Sequence, residues 1–313
     1  LNIQGAVACL VLSAAGCVSH APPPDSRLAE KMLEELARDA PIAVAEGSAL
    51  AKLGDRHFIF VAGFLHEAIP GYFTDNAHVA HDELGAATSI IFPSSRQGLE
   101  DDVALIRSAV LASFAADGKP VVLFGHSKGG AGALLTVLRD PGLMLTGVVD
   151  RVIVVQGAIG GSPIADSITP ENPVGILPVR FAGLDSLKRT RARALFDAAL
   201  SGLDATLTDD ERAWLANRVF YVRSKEKVGQ VAFELALTHA YLGQCGTGEN
   251  DGMLLTEDMK RDDFGVDLGV LKGDHGALTV SSFLANSSRR ERRAFTRALL
   301  REVFERPDPE RPR

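Results

Sequence analysis

Cysteine is scarce in this 313-residue chain, which has only Cys9, Cys17 and Cys245. Two of the three fall within the first 17 positions. That leaves Cys245 alone in the rest of the sequence and excludes an internal disulfide framework. The fold must rest on its core, and with 46 % of residues apolar a large one is available. Runs of one charge are equally scarce. The net charge is −7 and no cluster of Lys or Arg precedes the last helical segment. The basic footprint that holds phosphate backbones is missing, so nucleic acid is not an expected partner. His and Cys do not gather at ligand spacing, which removes the usual sign of a zinc centre, and neither a metal nor a cofactor is expected. No internal repeat is visible, and beyond the N-terminal stretch nothing reads as a bilayer-spanning segment.

The N-terminal stretch, residues 1–17, is uncharged, has an apolar middle from Ala6 to Ala15, and places the small residues Ala14, Ala15 and Gly16 before Cys17. It reads as an export signal, too short for a lasting transmembrane anchor. Its Ala-Ala-Gly-Cys ending resembles the lipobox of bacterial lipoproteins, which implies cleavage before Cys17 and a lipid on that residue. Plain secretion and a buried N-terminal helix are the competing readings. The expected location is the bacterial cell envelope, anchored to the membrane through Cys17, or otherwise the periplasm or the outside. Residues 18–56 then read as a tether and an N-terminal helical segment, the tether opening with the Pro-rich run Ala21 to Pro24.

From His57 onward short β-branched runs alternate with helical patterns, the mark of an α/β domain whose mostly parallel sheet is covered by helices on both faces. Strands are expected at His57–Ala62, Thr88–Phe92, Pro120–Phe124, Val148–Gln156, Arg218–Arg223 and Val266–Leu271. Helical periodicity marks Gln97–Ala116, Ser186–Leu200, Asp209–Ala216, Val228–Leu242 and Ser288–Phe304. Thr208 and Glu211 form a capping box for the third of these. Residues 57–305 make one domain, with 306–313 a polar tail. The stretch 159–217 breaks the alternation and reads as a cap insertion or, equally, as a long ordinary crossover.

The chemistry centres on Gly125-His126-Ser127-Lys128-Gly129. The pattern G-x-S-x-G is common by chance, but here a buried-strand run, Val121 to Phe124, leads into it and Gly130-Ala131-Gly132-Ala133-Leu134 opens a helix after it. This is the strand–turn–helix setting in which a serine is held in a strained turn as a nucleophile, with glycines where Cβ atoms would collide. A base must follow. Only His239 and His275 come after the elbow; His275 sits in a Gly-flanked loop after the last strand run, where a catalytic base belongs, and His239 lies inside a helical pattern. His126 is read as an elbow residue packing under the loop rather than as a second base.

Together these segments resemble the bacterial lipases of the α/β-hydrolase fold, over most of the chain from His57 to Ala285. Gly-His-Ser-Lys-Gly-Gly is similar to their elbow, and Ala62-Gly63-Phe64-Leu65 to their oxyanion loop. The resemblance implies that the backbone N–H groups of Phe64 and Lys128 form the oxyanion hole; the Lys128 side chain is itself read as solvated. Gly160-Gly161-Ser162-Pro163 resembles the family's Gly-Ser/Thr-Pro stretch. Asn250-Asp251-Gly252-Met253 resembles the motif that carries its catalytic acid. Asp251 competes for that role with Asp166, Asp263 and Asp267; its place before the last strand favours it, and Asp166 stands second. The family's calcium site is in doubt, since Ala277 stands where a ligand carboxylate would help.

The resulting expectation is a serine esterase or lipase with Ser127, His275 and Asp251 as its triad, acting on a small-molecule or lipid ester. Phe64, Leu65, Ile164, Ile176 and Leu177 line an acyl pocket or belong to the core. A thioesterase, amidase or acyltransferase on the same triad is the first rival, and a non-catalytic envelope lipoprotein of this fold the second.

Overall fold

The computed structural model describes residues 27–168, 182–281, 286–307 and 310–311. The stretch expected to be an export signal, Cys17 and the Pro-rich run lie outside these residues, as do Ile176 and Leu177.

Among the described residues six strands form one sheet: β1 (His57–Val61), β2 (Ala87–Ile91), β3 (Val121–His126), β4 (Val149–Val155), β5 (Val219–Lys225) and β6 (Val266–Lys272). Every neighbouring pair is parallel, in the order β2-β1-β3-β4-β5-β6. The helices are α1 (Arg27–Arg38), α2 (Thr74–His78), α3 (Leu99–Asp117), α4 (Lys128–Arg139), α5 (Gly142–Leu145), α6 (Pro163–Ser167), α7 (Ala182–Ser186), α8 (Arg189–Thr206), α9 (Asp209–Ala216), α10 (Ala236–Leu242) and α11 (Arg289–Phe304).

Strand alternation sorts the side chains into two cores. Ile59, Val61, Leu123, Val152, Val154 and Tyr221 meet Ile106 and Val110 of α3, Leu134 and Leu138 of α4, and Phe196 and Leu200 of α8. On the other face Phe58, Phe60, Val122, Phe124, Ile153 and Val222 meet Leu28 of α1 and Phe295, Leu299 and Val303 of α11. A central parallel strand is buried on both faces, which is why Val121 to Phe124 reads as an unbroken apolar run. Each such residue contributes about 1.5–3 kcal/mol when fully buried, enough for two large cores to hold the fold without covalent links.

Two helical expectations change. The pattern over 228–242 yields only α10, preceded by a 3-10 turn at Phe233–Leu235. Gly229 sits at φ +82° and the Ala232 N–H is taken by the Asp274 carboxylate at 2.9 Å, so the chain cannot coil there. The pattern over 186–200 yields α8, which starts three residues later than expected, at Arg189, and runs on to Thr206. Lys188 is extended, and the Asp166 carboxylate accepts from the Arg189 N–H at 2.9 Å, starting the helix as an N-terminal anion. The capping box at Thr208 and Glu211 is present in both directions.

In a parallel sheet all strands end on the same edge, and ligands gather there. The segments that leave β1, β3, β5 and β6 bring together Gly63, Ser127, Asp251 and His275.

Candidate active site

Ser127, between β3 and α4, has φ 55° and ψ −126°. An L-residue adopts such a conformation at a cost of about 1–3 kcal/mol, and the neighbours must then be small. A Cβ on Gly125 would stand 2.6 Å from the Gly129 carbonyl oxygen, and one on Gly129 would stand 2.3 Å from that of Val61. These two glycines let α4 begin directly against the ends of β1 and β3 while the serine projects from the turn.

The His275 Nε2 lies 2.9 Å from Ser127 Oγ, and its Nδ1 lies 2.8 Å from Asp251 Oδ2. Asp251 is fully buried. Desolvation alone would push its pKa up, but the charge and hydrogen bond of His275 and the N–H groups of Met253 and Leu254 outweigh it and hold the carboxyl below its usual range. Being ionised, Asp251 can only accept. The His275 Nδ1 therefore carries the proton, and Nε2 is left free to accept from the serine hydroxyl. Asn250 and Gly252 build the loop: Asn250 Oδ1 accepts from the Gly252 N–H at 2.9 Å, and Gly252 turns the chain at φ +99°. The His275 N–H also donates to the Asp251 carbonyl at 2.9 Å, tying the two loops together.

Two polar side chains that the sequence reading did not single out complete this network. Gln156, just past the end of β4, is fully buried and holds a positive φ of 49°. Its amide nitrogen faces Ser224 Oγ, the Asp274 carbonyl at 2.8 Å and Asp251 Oδ2 at 3.2 Å. Ser224 Oγ itself lies 3.3 Å from Asp251 Oδ2. The Gln156 Oε1 accepts from His126 Nε2, which also donates to the His275 carbonyl at 2.7 Å. Burial, helped by the nearby His275 charge, pushes His126 down to about 3, so it is a neutral spacer beneath the His275 loop. The available signal was a polar Gln just past the end of β4 and a polar Ser near the end of β5, the two strands that follow β3 in the sheet.

Gly63 is pressed into the same corner. A Cβ there would stand 2.9 Å from Ser127 Cβ and 2.9 Å from the Tyr72 hydroxyl. Among the described residues no acceptor takes the backbone N–H of Phe64 or of Lys128. Both flank the serine, one following Gly63 and the other opening α4.

No family model and no curated protein matches the sequence. Solved structures do match. A metagenomic carboxyl esterase superposes with a TM-score of 0.64 at 22 % identity, over 85 % of this chain and 78 % of that one. The mature lipase BlEst2 of Bacillus licheniformis gives 0.57 at 19 % identity, over 79 % of this chain and 91 % of that one. The chain has the α/β-hydrolase fold.

Within that α/β-hydrolase frame the other candidates bond to partners outside the line of Ser127, His275 and Asp251. Asp166 is bound to Arg189, its Oδ2 at 2.7 Å from Nε. Asp263 pairs with Arg261 and Asp267 with Arg223. His239 is buried in α10 with its Nε2 at 2.9 Å from the Glu226 carbonyl. One expectation is corrected: the Lys128 side chain is not solvated. It is 1 % exposed and its Nζ is 2.7 Å from Asp102 Oδ2, because α3 passes directly beside the start of α4 and presents an acid there. Phe64, Leu65 and Ile164 are partly buried. Among the described residues no group of three or more His, Cys, Asp or Glu side chains is placed to hold a metal ion.

Proposed function

We propose that this chain is a serine hydrolase of carboxylic esters, an esterase or lipase working through an acyl-enzyme. The observation that carries the reading is the unbroken hydrogen-bonded line from Ser127 Oγ through His275 to Asp251. Ser127 Oγ attacks the ester carbonyl carbon while its proton passes to His275 Nε2. Asp251 stabilises the imidazolium that results. The carbonyl oxygen, now negative, sits between the N–H groups of Phe64 and Lys128. His275 then gives its proton to the alcohol oxygen as the C–O bond breaks, and a water repeats the sequence on the acyl-enzyme to release the acid. Esterase and lipase neighbours of the same fold support this reaction class.

The test is fluorophosphonate labelling together with turnover of aryl esters from acetate to palmitate. Wild-type protein labels on Ser127 and hydrolyses part of the series; Ser127→Ala does not label and loses about 10⁴- to 10⁶-fold in turnover. Ester hydrolysis retained in purified Ser127→Ala protein sinks the assignment.

We also propose export with a lipid on Cys17, supported by the composition of residues 1–17 and their lipobox-like ending. Cys17→Ala then moves the protein from the membrane fraction to the soluble one. An unmodified mature N-terminus at or beyond Val18 in the mass spectrum rejects the anchor.

A further inference from the structure

The residues that carry the two N–H groups assigned to the oxyanion are anchored, through the neighbouring Leu65 N–H and through the Lys128 side chain, to one short turn, Ser94–Ser95, on the path from β2 to α3. On one side the Leu65 N–H, next in sequence to that of Phe64, donates to Ser95 Oγ at 2.7 Å. Ser95 is nearly buried and is itself held from both ends: its N–H donates to Glu67 Oε1 at 2.9 Å and its hydroxyl to Glu67 Oε2 at 2.6 Å. With its proton committed to Glu67, the Ser95 oxygen can only accept from Leu65. That bond holds Leu65 at φ 61°, a left-handed conformation that a leucine does not adopt without support. On the other side the Lys128 ammonium donates to the Ser94 carbonyl at 3.1 Å and to Asp102 Oδ1 at 3.0 Å.

The ion pair needs an explanation beyond stability. Lys128 and Asp102 are each 1 % exposed. Taking both charges out of water costs several kcal/mol per ion, and apolar residues of similar volume usually do as well or better. A charged pair does supply direction: the ammonium reaches back from the residue whose N–H faces the reacting oxygen and fixes it to the same turn that holds Leu65, the residue after Phe64.

We propose that the Ser94–Ser95 turn is a clamp that sets the spacing of the Phe64 and Lys128 N–H groups, with Ser95 and the Lys128 side chain acting as positioning residues for the oxyanion. This rests on the ester-hydrolase reading. A hole defined by two donors from different segments works only if both sit about 3 Å from the developing charge, and displacements of about 1 Å cost on the order of 10²-fold in rate.

The experiment compares wild type, Ser127→Ala, Ser95→Ala, Ser95→Thr and the double variant Lys128→Met/Asp102→Leu. Each is assayed for kcat and KM on one activated aryl ester, for inhibition by an aryl boronic acid, and for thermal unfolding. The boronate adds to the serine and places an anionic oxygen in the hole. Expected for Ser95→Ala and for the double variant is a loss of about 10- to 100-fold in kcat with KM within about twofold, and boronate affinity weakened by the same factor as kcat. Ser95→Thr keeps the hydroxyl and most of the activity. The double variant, whose apolar pair removes the buried charges, carries the test if Ser95→Ala does not fold. Folded variants whose kcat stays within about twofold of wild type, or whose loss lies in KM alone, overturn the clamp while leaving the hydrolase reading intact. Wild type that neither turns over esters nor takes the fluorophosphonate overturns both.

Discussion

At the scale of single residues the site is held by a chain of acceptors and donors in which few members are replaceable. Asp251 takes five donors: Nδ1 of His275, the N–H groups of Met253 and Leu254, the Gln156 amide and the Ser224 hydroxyl. Replacing Asp251 by Asn lets the histidine adopt the wrong tautomer, a change worth about 10⁴ in the protease worked example. Gln156→Leu removes one neutral donor and the link to His126, and leaves the His275 contact in place. Asp166→Asn touches only the bonds to Arg189, the ion pair and the backbone N–H at the start of α8. The expected order of kcat loss on one aryl ester is therefore Asp251→Asn about 10⁴-fold, Gln156→Leu about tenfold, and Asp166→Asn within about twofold. Circular dichroism on the same samples establishes that each variant is folded. A greater loss in Asp166→Asn than in Asp251→Asn moves the acid to the earlier loop.

At the scale of elements, α3 and α4 meet through the pair of Asp102 and Lys128, a contact with its own pH signature. Burial pushes the Asp102 carboxyl up to about 6 from its ordinary value of 3.8, even though the Lys128 charge pulls the other way. Between about pH 4 and 6 the unfolded chain has given up this proton while the folded protein still holds it. The folded state then binds more protons than the unfolded one, so this group's contribution to stability falls as pH rises through the window and is constant above it. Asp102→Asn removes the titration. The melting temperature of the variant minus that of wild type should thus grow from pH 4 to pH 6 and then level off; a difference that shrinks over that window means the Lys128 attraction outweighs burial. This pair was invisible in the sequence. Lys128 stands in a turn that resembles many others, and nothing local says that a residue 26 positions earlier will lie against it.

At the scale of the whole molecule, what was legible is what repeats locally. The apolar runs of Phe58 to Val61 and Val121 to Phe124 announced strands buried on both faces, and Gly125, Ser127 and Gly129 announced a strained turn, because each signal is carried by adjacent residues. Gln156, Ser224 and Asp102 gain their roles only when strands and helices far apart in sequence are stacked, and the break at Gly229 depends on a carboxylate from Asp274. The same separation predicts that stability and activity can be uncoupled. Leu28 of α1 is 1 % exposed and belongs to the core that α11 covers. Its helix is bound to α11 by Lys31 to Glu302 at 2.8 Å and by Arg301 to Glu35 at 2.9 Å. Arg27 beside it lines a cavity with Arg151, Phe220 and Val266, which stand at the starting ends of β4, β5 and β6, the edge of the sheet opposite Ser127. Leu28→Ala leaves a void that the ion pairs around it keep from collapsing, at a cost of about 2–5 kcal/mol. Because the two sites share no partners, kcat should stay within about twofold of wild type under native conditions. Urea unfolding followed by circular dichroism, with turnover measured on the same preparation, checks both halves. A lowered kcat in folded Leu28→Ala protein would mean that α1 and the edge of the sheet that carries Ser127 are coupled through the core, and an unchanged urea midpoint would mean that α1 adds nothing to the fold.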